Sequence, residues 1–250
     1  MLGILITGAA SGIGRETARR FAREGWRVGL LDVDAAALQA LSAELGGAFS
    51  RVIDVRHYAD VVAAVDAFAV GGMELLFNSH GILRCGRFED ISAEEHRRTI
   101  EINVIGVMNT CHAAFRHLRG RPGAQIISMC SASAGYGVPQ FASYSASKFA
   151  VRGLTEALQI EWGKHGIRVT DIVPPFVSTP MVADQAVVPA IIARMGVNLG
   201  PGEIAEAVWK QYQSGPTHRP VGLQYTLLYW LGTITPPPLQ RVMMRWLSRE

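Results

Sequence analysis

With 250 residues, 49% of them hydrophobic, and a mean hydropathy of +0.18, the chain can bury a substantial core, and an extended disordered class is excluded. A formal charge of +3 without a long basic run argues against a nucleic-acid footprint. Three widely spaced cysteines, Cys85, Cys111 and Cys130, give neither a disulfide framework nor a metal-ligand spacing, so no metal site is expected and a reducing compartment fits best. The first strand begins almost at once, with no signal peptide before it, and a cytoplasmic location is expected.

In chain order, an apolar run over 2–6 leads into Thr-Gly-Ala-Ala-Ser-Gly-Ile-Gly at 7–14, and a helical pattern follows over 13–23. Strand, glycine turn and helix in that order make a pyrophosphate site. Gly8 permits the sharp turn, and Gly12 and Gly14 remove Cβ atoms that would keep a phosphate and the strand away. Thr7, Ser11 and Ile13 complete the turn. Eighteen residues after Gly14, at the end of a second strand over 27–31, stand Asp32 and Val33. A carboxylate here accepts from both ribose hydroxyls and repels a 2′-phosphate, with no basic residue after it before Arg51, so NAD(H) is expected over NADP(H). The competing assignment makes Asp32 a turn residue capping the next helix.

Further strands are predicted over 49–53, 74–77, 125–129 and 168–173, most of them continuous apolar runs suited to parallel strands covered on both faces. Helices are predicted over 35–45, 58–69, 93–118 and 143–162, with Ser92 and Glu95 as a capping box. The alternation predicts one doubly wound parallel α/β sheet, a Rossmann fold with helices on both faces, spanning 1–250 as a single domain.

Tyr144 and Lys148 share a helical face at i and i+4. An ammonium near a phenol stabilises the phenolate and makes a usable general acid and base. A surface lysine on a helix with a core tyrosine would have the same spacing. Ser131 lies just past the strand over 125–129, at the carboxyl edge where such sheets place their sites, with Ser128 and Ser133 near enough to compete.

With these motifs in place, the stretch from 2 to about 181 resembles the short-chain dehydrogenase/reductase family, in its subgroup of about 250 residues. The resemblance assigns Thr7, Gly8, Gly12 and Gly14 to the cofactor turn, Asp32 to the ribose, and Asp54 and Val55 to the adenine. It gives Asn103, within Ile-Asn-Val-Ile-Gly at 102–106, Ser131, Tyr144 and Lys148 as the catalytic set. Pro174, Val177 and Thr179 fall in the segment that holds the nicotinamide amide, and Asn78 and Gly81 in the stretch after the fourth strand. It implies that Tyr144 is the acid or base at a carbinol oxygen, with its pKa lowered by Lys148. Ser131 would position that oxygen, and Asn103 would support a proton relay. It also implies a homodimer or homotetramer built through the helices over 93–118 and 143–162.

The chain departs from the family's Asn-Asn-Ala-Gly at Ser79 and His80, and Pro175 replaces the usual glycine after Pro174. For His80, a packed or solvated ring is preferred over a cofactor contact. The loop over 181–199 is apolar, and with Leu83, Cys85, Ser133, Tyr136, Gln140, Phe176 and Met181 it forms the substrate candidates. A small hydrophobic alcohol or ketone is therefore expected.

The extension over 216–250 lacks the family's usual final strand and is apolar and aromatic across 221–235, with a last helix bearing Arg241, Arg245 and Arg249. Packing on its own or a neighbouring subunit is preferred over covering the substrate entrance or lying on a membrane surface. The rival functions are a non-catalytic dinucleotide sensor, a tail-mediated membrane or scaffold protein, and an isomerase or dehydratase using the same cofactor.

Overall fold

The computed structural model describes residues 1–248, so Arg249 and Glu250 of the tail lie outside the described residues. Seven strands, β1 (Gly3–Thr7), β2 (Arg27–Asp32), β3 (Phe49–Val52), β4 (Leu75–Asn78), β5 (Gln125–Met129), β6 (Arg168–Val173) and β7 (His218–Pro220), form one sheet in the order β3-β2-β1-β4-β5-β6-β7. Every neighbouring pair is parallel. The winding reverses between β1 and β4, where Thr7 lies in register with Asn78. This reversal opens the crevice in which such sheets bind ligands.

The strands alternate even though their sequence runs are continuous. Ile4, Ile6, Leu75, Phe77 and Ile127 point to one layer, where α1 (Gly12–Arg23), α2 (Ala35–Glu44) and α9 (Pro201–Gln213) bury Phe21, Leu38 and Val208. Leu5, Leu76 and Ile126 point to the other layer, built by α3 (Tyr58–Ala69), α5 (Gly106–Leu118) and α6 (Ala142–Gly163). Both faces are covered, so every strand position can be apolar and no period-two signal survives in the sequence. The remaining helices are α4 (Ala93–Ile100), α7 (Pro180–Ala183), α8 (Ala190–Met195), α10 (Leu223–Ile234) and α11 (Pro237–Leu247).

Three elements differ from the sequence expectation. The helix predicted over 93–118 is divided by a π-helical turn, Glu101–Ile105, in which the Gly106 N–H reaches back to the Glu101 carbonyl. A short final strand, β7, is present. Its three residues include a proline and no apolar run, and it is held in place by pairing with β6. Helix α9 was not predicted at all. It packs along α1 through Trp209 and Tyr212, which meet Phe21 and Trp26 edge-on at 4.7–6.5 Å. Among the described residues, no helix is long and apolar enough to cross a membrane.

Candidate active site

The glycine turn has the geometry an anion needs. Gly8 adopts φ +65°, and a Cβ there would sit 2.7 Å from the His80 backbone; a Cβ on Gly14 would lie 2.0 Å from the Gly8 carbonyl oxygen. Ser11 occupies the N-cap of α1 without a side-chain cap, so the first N–H groups of that helix have no intrahelical or capping partner. A Cβ on Gly12 would stand 3.3 Å from Cγ2 of Thr179. The segments expected at the pyrophosphate and at the nicotinamide, the glycine turn and the stretch after β6, therefore meet across the crevice. This cradle, closed by any side chain at position 12 or 14, fits a pyrophosphate-bearing cofactor.

Asp32 ends β2, and its carboxylate accepts from the N–H groups of Ala10 at 2.8 Å, Val33 at 2.7 Å and Asp34 at 3.1 Å. The cap of α2 is Asp34, which accepts from the Ala37 N–H at 3.0 Å, so Asp32 is not the helix cap. The sequence reading missed Arg15, whose guanidinium donates to the Ala10 carbonyl at 2.9 Å and so stands against the same turn.

Asp54 is gripped by the Arg56 guanidinium at 2.6–3.1 Å, which holds its carboxyl below the usual carboxylate range. Val55 is buried against Gly106. The side chain of Asn78 turns inward. It accepts from Thr110 Oγ1 at 2.8 Å and donates to Ser128 Oγ at 3.2 Å, so it ties β4 to α5 and β5.

The four expected catalytic side chains come from separate elements. Asn103 is buried in the π-helical turn. Its Oδ1 accepts from the Ile82 N–H at 2.8 Å, and its Nδ2 donates to the Ile82 carbonyl at 3.0 Å and to Ser147 Oγ at 3.1 Å. The widened turn lets a helical residue clamp a loop peptide at both of its polar groups, a common use of π-bulges. Gly81 lies in the same loop, with room for a Cβ only 3.3 Å from Asn103 Oδ1. Ser131 follows β5, its hydroxyl accepting from the Ser133 N–H at 3.2 Å and standing near enough to Tyr144 to favour the phenolate.

Lys148 is buried, and its Nζ donates to the Met129 carbonyl at 2.8 Å, 5.5 Å from the centre of the Tyr144 ring. Burial pulls the Lys148 ammonium below its usual pKa. The expectation that Lys148 lowers the Tyr144 pKa is corrected here. Burial pushes the phenol up to about 12, and the Ser131 hydrogen bond only partly opposes that rise. The ammonium is held by a main-chain oxygen and does not reverse the effect, so Tyr144 stands protonated.

The surroundings of Tyr144 are apolar. Leu83, Cys85, Val138, Phe141, Ile191 and Ile192 belong to a buried cluster, and Tyr136, Phe176 and Met181 pack against it together with Tyr144. Phe176 stands 6.0 Å from Phe141, ring centre to ring centre. Ser133 is buried, and Gln140 holds a left-handed φ of +64° that non-glycine residues rarely adopt, with its carbonyl accepting from the Gly86 N–H at 3.0 Å.

Two contributors escaped the sequence reading. Gln185 clamps the 181–199 loop. Its Oε1 accepts from the Cys85 N–H at 3.0 Å, and its Nε2 donates to the carbonyls of Leu83 at 3.0 Å and Met181 at 2.8 Å. Helix α11 sends Met244 and Leu247 into the cluster that holds Tyr144. The segment after β6 is fixed by Pro174, whose carbonyl accepts from the Ala132 N–H at 2.9 Å, and by Val177, which bridges to Leu199. His80 is packed, as preferred. Its Nδ1 lies 2.6 Å from Thr7 Oγ1, and its Nε2 is buried with no hydrogen-bond partner.

Comparison with known proteins agrees with this geometry. The family pattern described as short chain dehydrogenase matches residues 3–187. D-threitol dehydrogenase of Mycolicibacterium smegmatis is 37% identical over 183 residues, covering 71% of this chain and 70% of its own. The 3-ketoacyl-(acyl-carrier-protein) reductase of Brucella melitensis, solved with NADH, superposes with a TM-score of 0.79 at 31% identity, over 88% of this chain and 96% of that one. A short chain dehydrogenase of Burkholderia cenocepacia, solved with NADP, gives a TM-score of 0.77 at 30% identity, over 87% and 95% of the two chains.

Proposed function

The chain belongs to the short-chain dehydrogenase family, and from that premise we propose that it interconverts a secondary alcohol and its ketone with NAD(H), acting on a small hydrophobic substrate. The observation that carries this reading is the buried Lys148, its Nζ fixed by the Met129 carbonyl 5.5 Å from the centre of the Tyr144 ring, beside an apolar cluster and with Ser131 near the phenol. A bound nicotinamide would give or take the hydride. The residues that would hold it are the glycine turn, Asp32, and the segment from Pro174 to Thr179.

The protein's own groups do the rest. Ser131 and Tyr144 hold the substrate oxygen between two hydroxyls, and Tyr144 moves its proton to or from that oxygen. A phenol held near 12 keeps its proton at neutral pH, which suits donation to a ketone and makes alcohol oxidation rise with pH. Lys148, unable to leave the Met129 carbonyl without losing its partner in a desolvated site, is held in place beside the phenol. Asn103 braces the loop at Ile82 that forms one wall.

The preference for NAD(H) rests on the Asp32 carboxylate, already oriented by three N–H groups where a 2′-phosphate would meet its charge. The preference for a neutral, apolar substrate rests on the apolar cluster around Tyr144, to which Met244 adds. A second copy would pair through α5 and α6, where Ile105, Met108 and Phe149 are exposed.

The test is a panel of secondary alcohols and ketones with each dinucleotide, followed by absorbance of the reduced nicotinamide. Turnover of at least one apolar pair, better with NAD(H), is expected. Tyr144→Phe should lose about 10²–10⁴-fold in turnover while still binding the dinucleotide. Unchanged turnover in that variant would refute the acid–base role, and rates with NADP equal to or above those with NAD would refute the Asp32 argument.

A further inference from the structure

We propose that α10 and α11 form a docking face for an anionic lipid surface. On α10, Leu223, Leu227, Trp230, Leu231 and Ile234 recur at i, i+4, i+7, i+8 and i+11, which places them on one face, and they are 55–83% exposed. The opposite face of the helix is spoken for, because Tyr225 and Tyr229 pack on Cys130, Ala134 and Val173 beside the sheet. On α11, Leu239, Val242, Met243 and Trp246 are likewise exposed, while Met244 and Leu247 turn into the Tyr144 cluster. Each helix therefore has one face anchored on the protein and one largely exposed apolar face; on α11 the Arg194 guanidinium stands 5.8 Å from the centre of the Trp246 ring and donates to the Trp246 carbonyl. The two helices meet at Pro236 and are tied there by Gln240, which donates to the Gly232 carbonyl at 2.8 Å and the Thr235 carbonyl at 3.1 Å.

Charge decides between the candidate occupants. From 207 to 248 the chain carries no Asp or Glu, whereas Lys210, Arg219, Arg241 and Arg245 are all basic. Arg241 and Arg245 stand one turn apart on the flank of the α11 apolar face. In a two-fold contact between copies through this face, these arginines would have no acidic partner within the segment, and an isologous contact offers each patch only its own kind. A bilayer surface supplies what the patch lacks, with acyl chains for the apolar faces, headgroup phosphates for the arginines, and the interfacial depth that tryptophan favours. Neither helix is long enough to span, so the contact lies in the plane of the surface. Because α11 also packs into the cluster that holds Tyr144, docking through it would bring Tyr144 near an apolar substrate dissolved in the bilayer.

The full chain should co-sediment with vesicles of mixed phosphatidylglycerol and phosphatidylcholine, at least tenfold more tightly than with phosphatidylcholine alone, and salt should weaken the binding. The double variant Trp230→Ser/Trp246→Ser and the double variant Arg241→Glu/Arg245→Glu should each bind at least tenfold more weakly, with unchanged circular dichroism and native mass. Failure of the wild type to sediment with anionic vesicles at low salt overturns the proposal, as does binding that neither variant alters. A fall in native mass on mutation, without a change in vesicle binding, would assign the face to a second copy and overturn it equally. None of these readouts depends on the substrate or on turnover.

Discussion

His80 stands where the family usually places alanine, and it makes the protein sensitive to acid in a way that can be worked out in advance. Its Nδ1 is paired with Thr7 Oγ1 at 2.6 Å, and its Nε2 lies buried with no hydrogen-bond partner. Burial chiefly, and then the charge of Lys148, depress its pKa to about 3, although the Ile102 carbonyl acts the other way. An unfolded histidine titrates near 6.5. Between those values the unfolded chain binds a proton that the native chain refuses. The stabilising contribution of neutral His80 is therefore complete above about pH 6.5 and is lost as pH falls toward 3. At roughly 1.4 kcal/mol per pH unit, moving from pH 7.5 to pH 5.0 costs about 2 kcal/mol through this residue. Urea unfolding of the wild type and of His80→Ala at both pH values isolates the effect, since the other histidines titrate in both proteins. The wild type should lose about 2 kcal/mol more than the variant between the two conditions. Equal losses would refute the reasoning, whatever the variant's stability at pH 7.5. The variant should also bind the dinucleotide more weakly, because Thr7 at the head of the glycine turn loses its partner.

Two other perturbations test the supporting structure. His218 links β7 to the buried Asp171 at 2.9 Å, and although burial opposes its protonation, that hydrogen bond and the Asp171 charge raise its pKa. The stabilisation is full below about pH 6.5 and fades as pH climbs through the raised value, so thermal stability should fall on the alkaline side in the wild type but not in His218→Ala. That variant should be less stable by about 3–5 kcal/mol near neutral pH, because it strands a buried carboxylate, and a loss below 1 kcal/mol would contradict the pairing. Gln185→Ala removes two hydrogen bonds that close the 181–199 loop on Leu83 and Cys85, and a third within the loop to the Met181 carbonyl. Proteolysis within that loop should quicken and KM for substrate should rise about tenfold with little change in dinucleotide affinity, consistent with one buried N–H left unpaired. Unchanged KM would show that the clamp does not shape the substrate site.

Much of the site was legible because its chemistry is local. The turn at 7–14, the Tyr144–Lys148 pair one helical turn apart and the acidic residue ending β2 are short-range patterns, and each falls where it was expected. What failed was decided at a distance. Asn103 opens a π-helical turn because it must reach both polar groups of Ile82, and no spacing within 93–118 announces that. The strand β7 is three residues long and exists by pairing with β6, so it carries no pattern of its own. The inward turn of the Asn78 side chain is set by Thr110 and Ser128, distant in sequence, and no local pattern announces it.

The amino-acid order alone determined the winding of the sheet, the cradle for a dinucleotide and the residue types that could move a proton, because these follow from periodicity, glycine sterics and intrinsic acidity. Only the assembled molecule decided the protonation of Tyr144, the neutrality of His80 and the packing of α11 into the cluster that holds Tyr144. Those properties come from desolvation and from contacts between segments up to a hundred or more residues apart, which exist only once the layers have closed on one another.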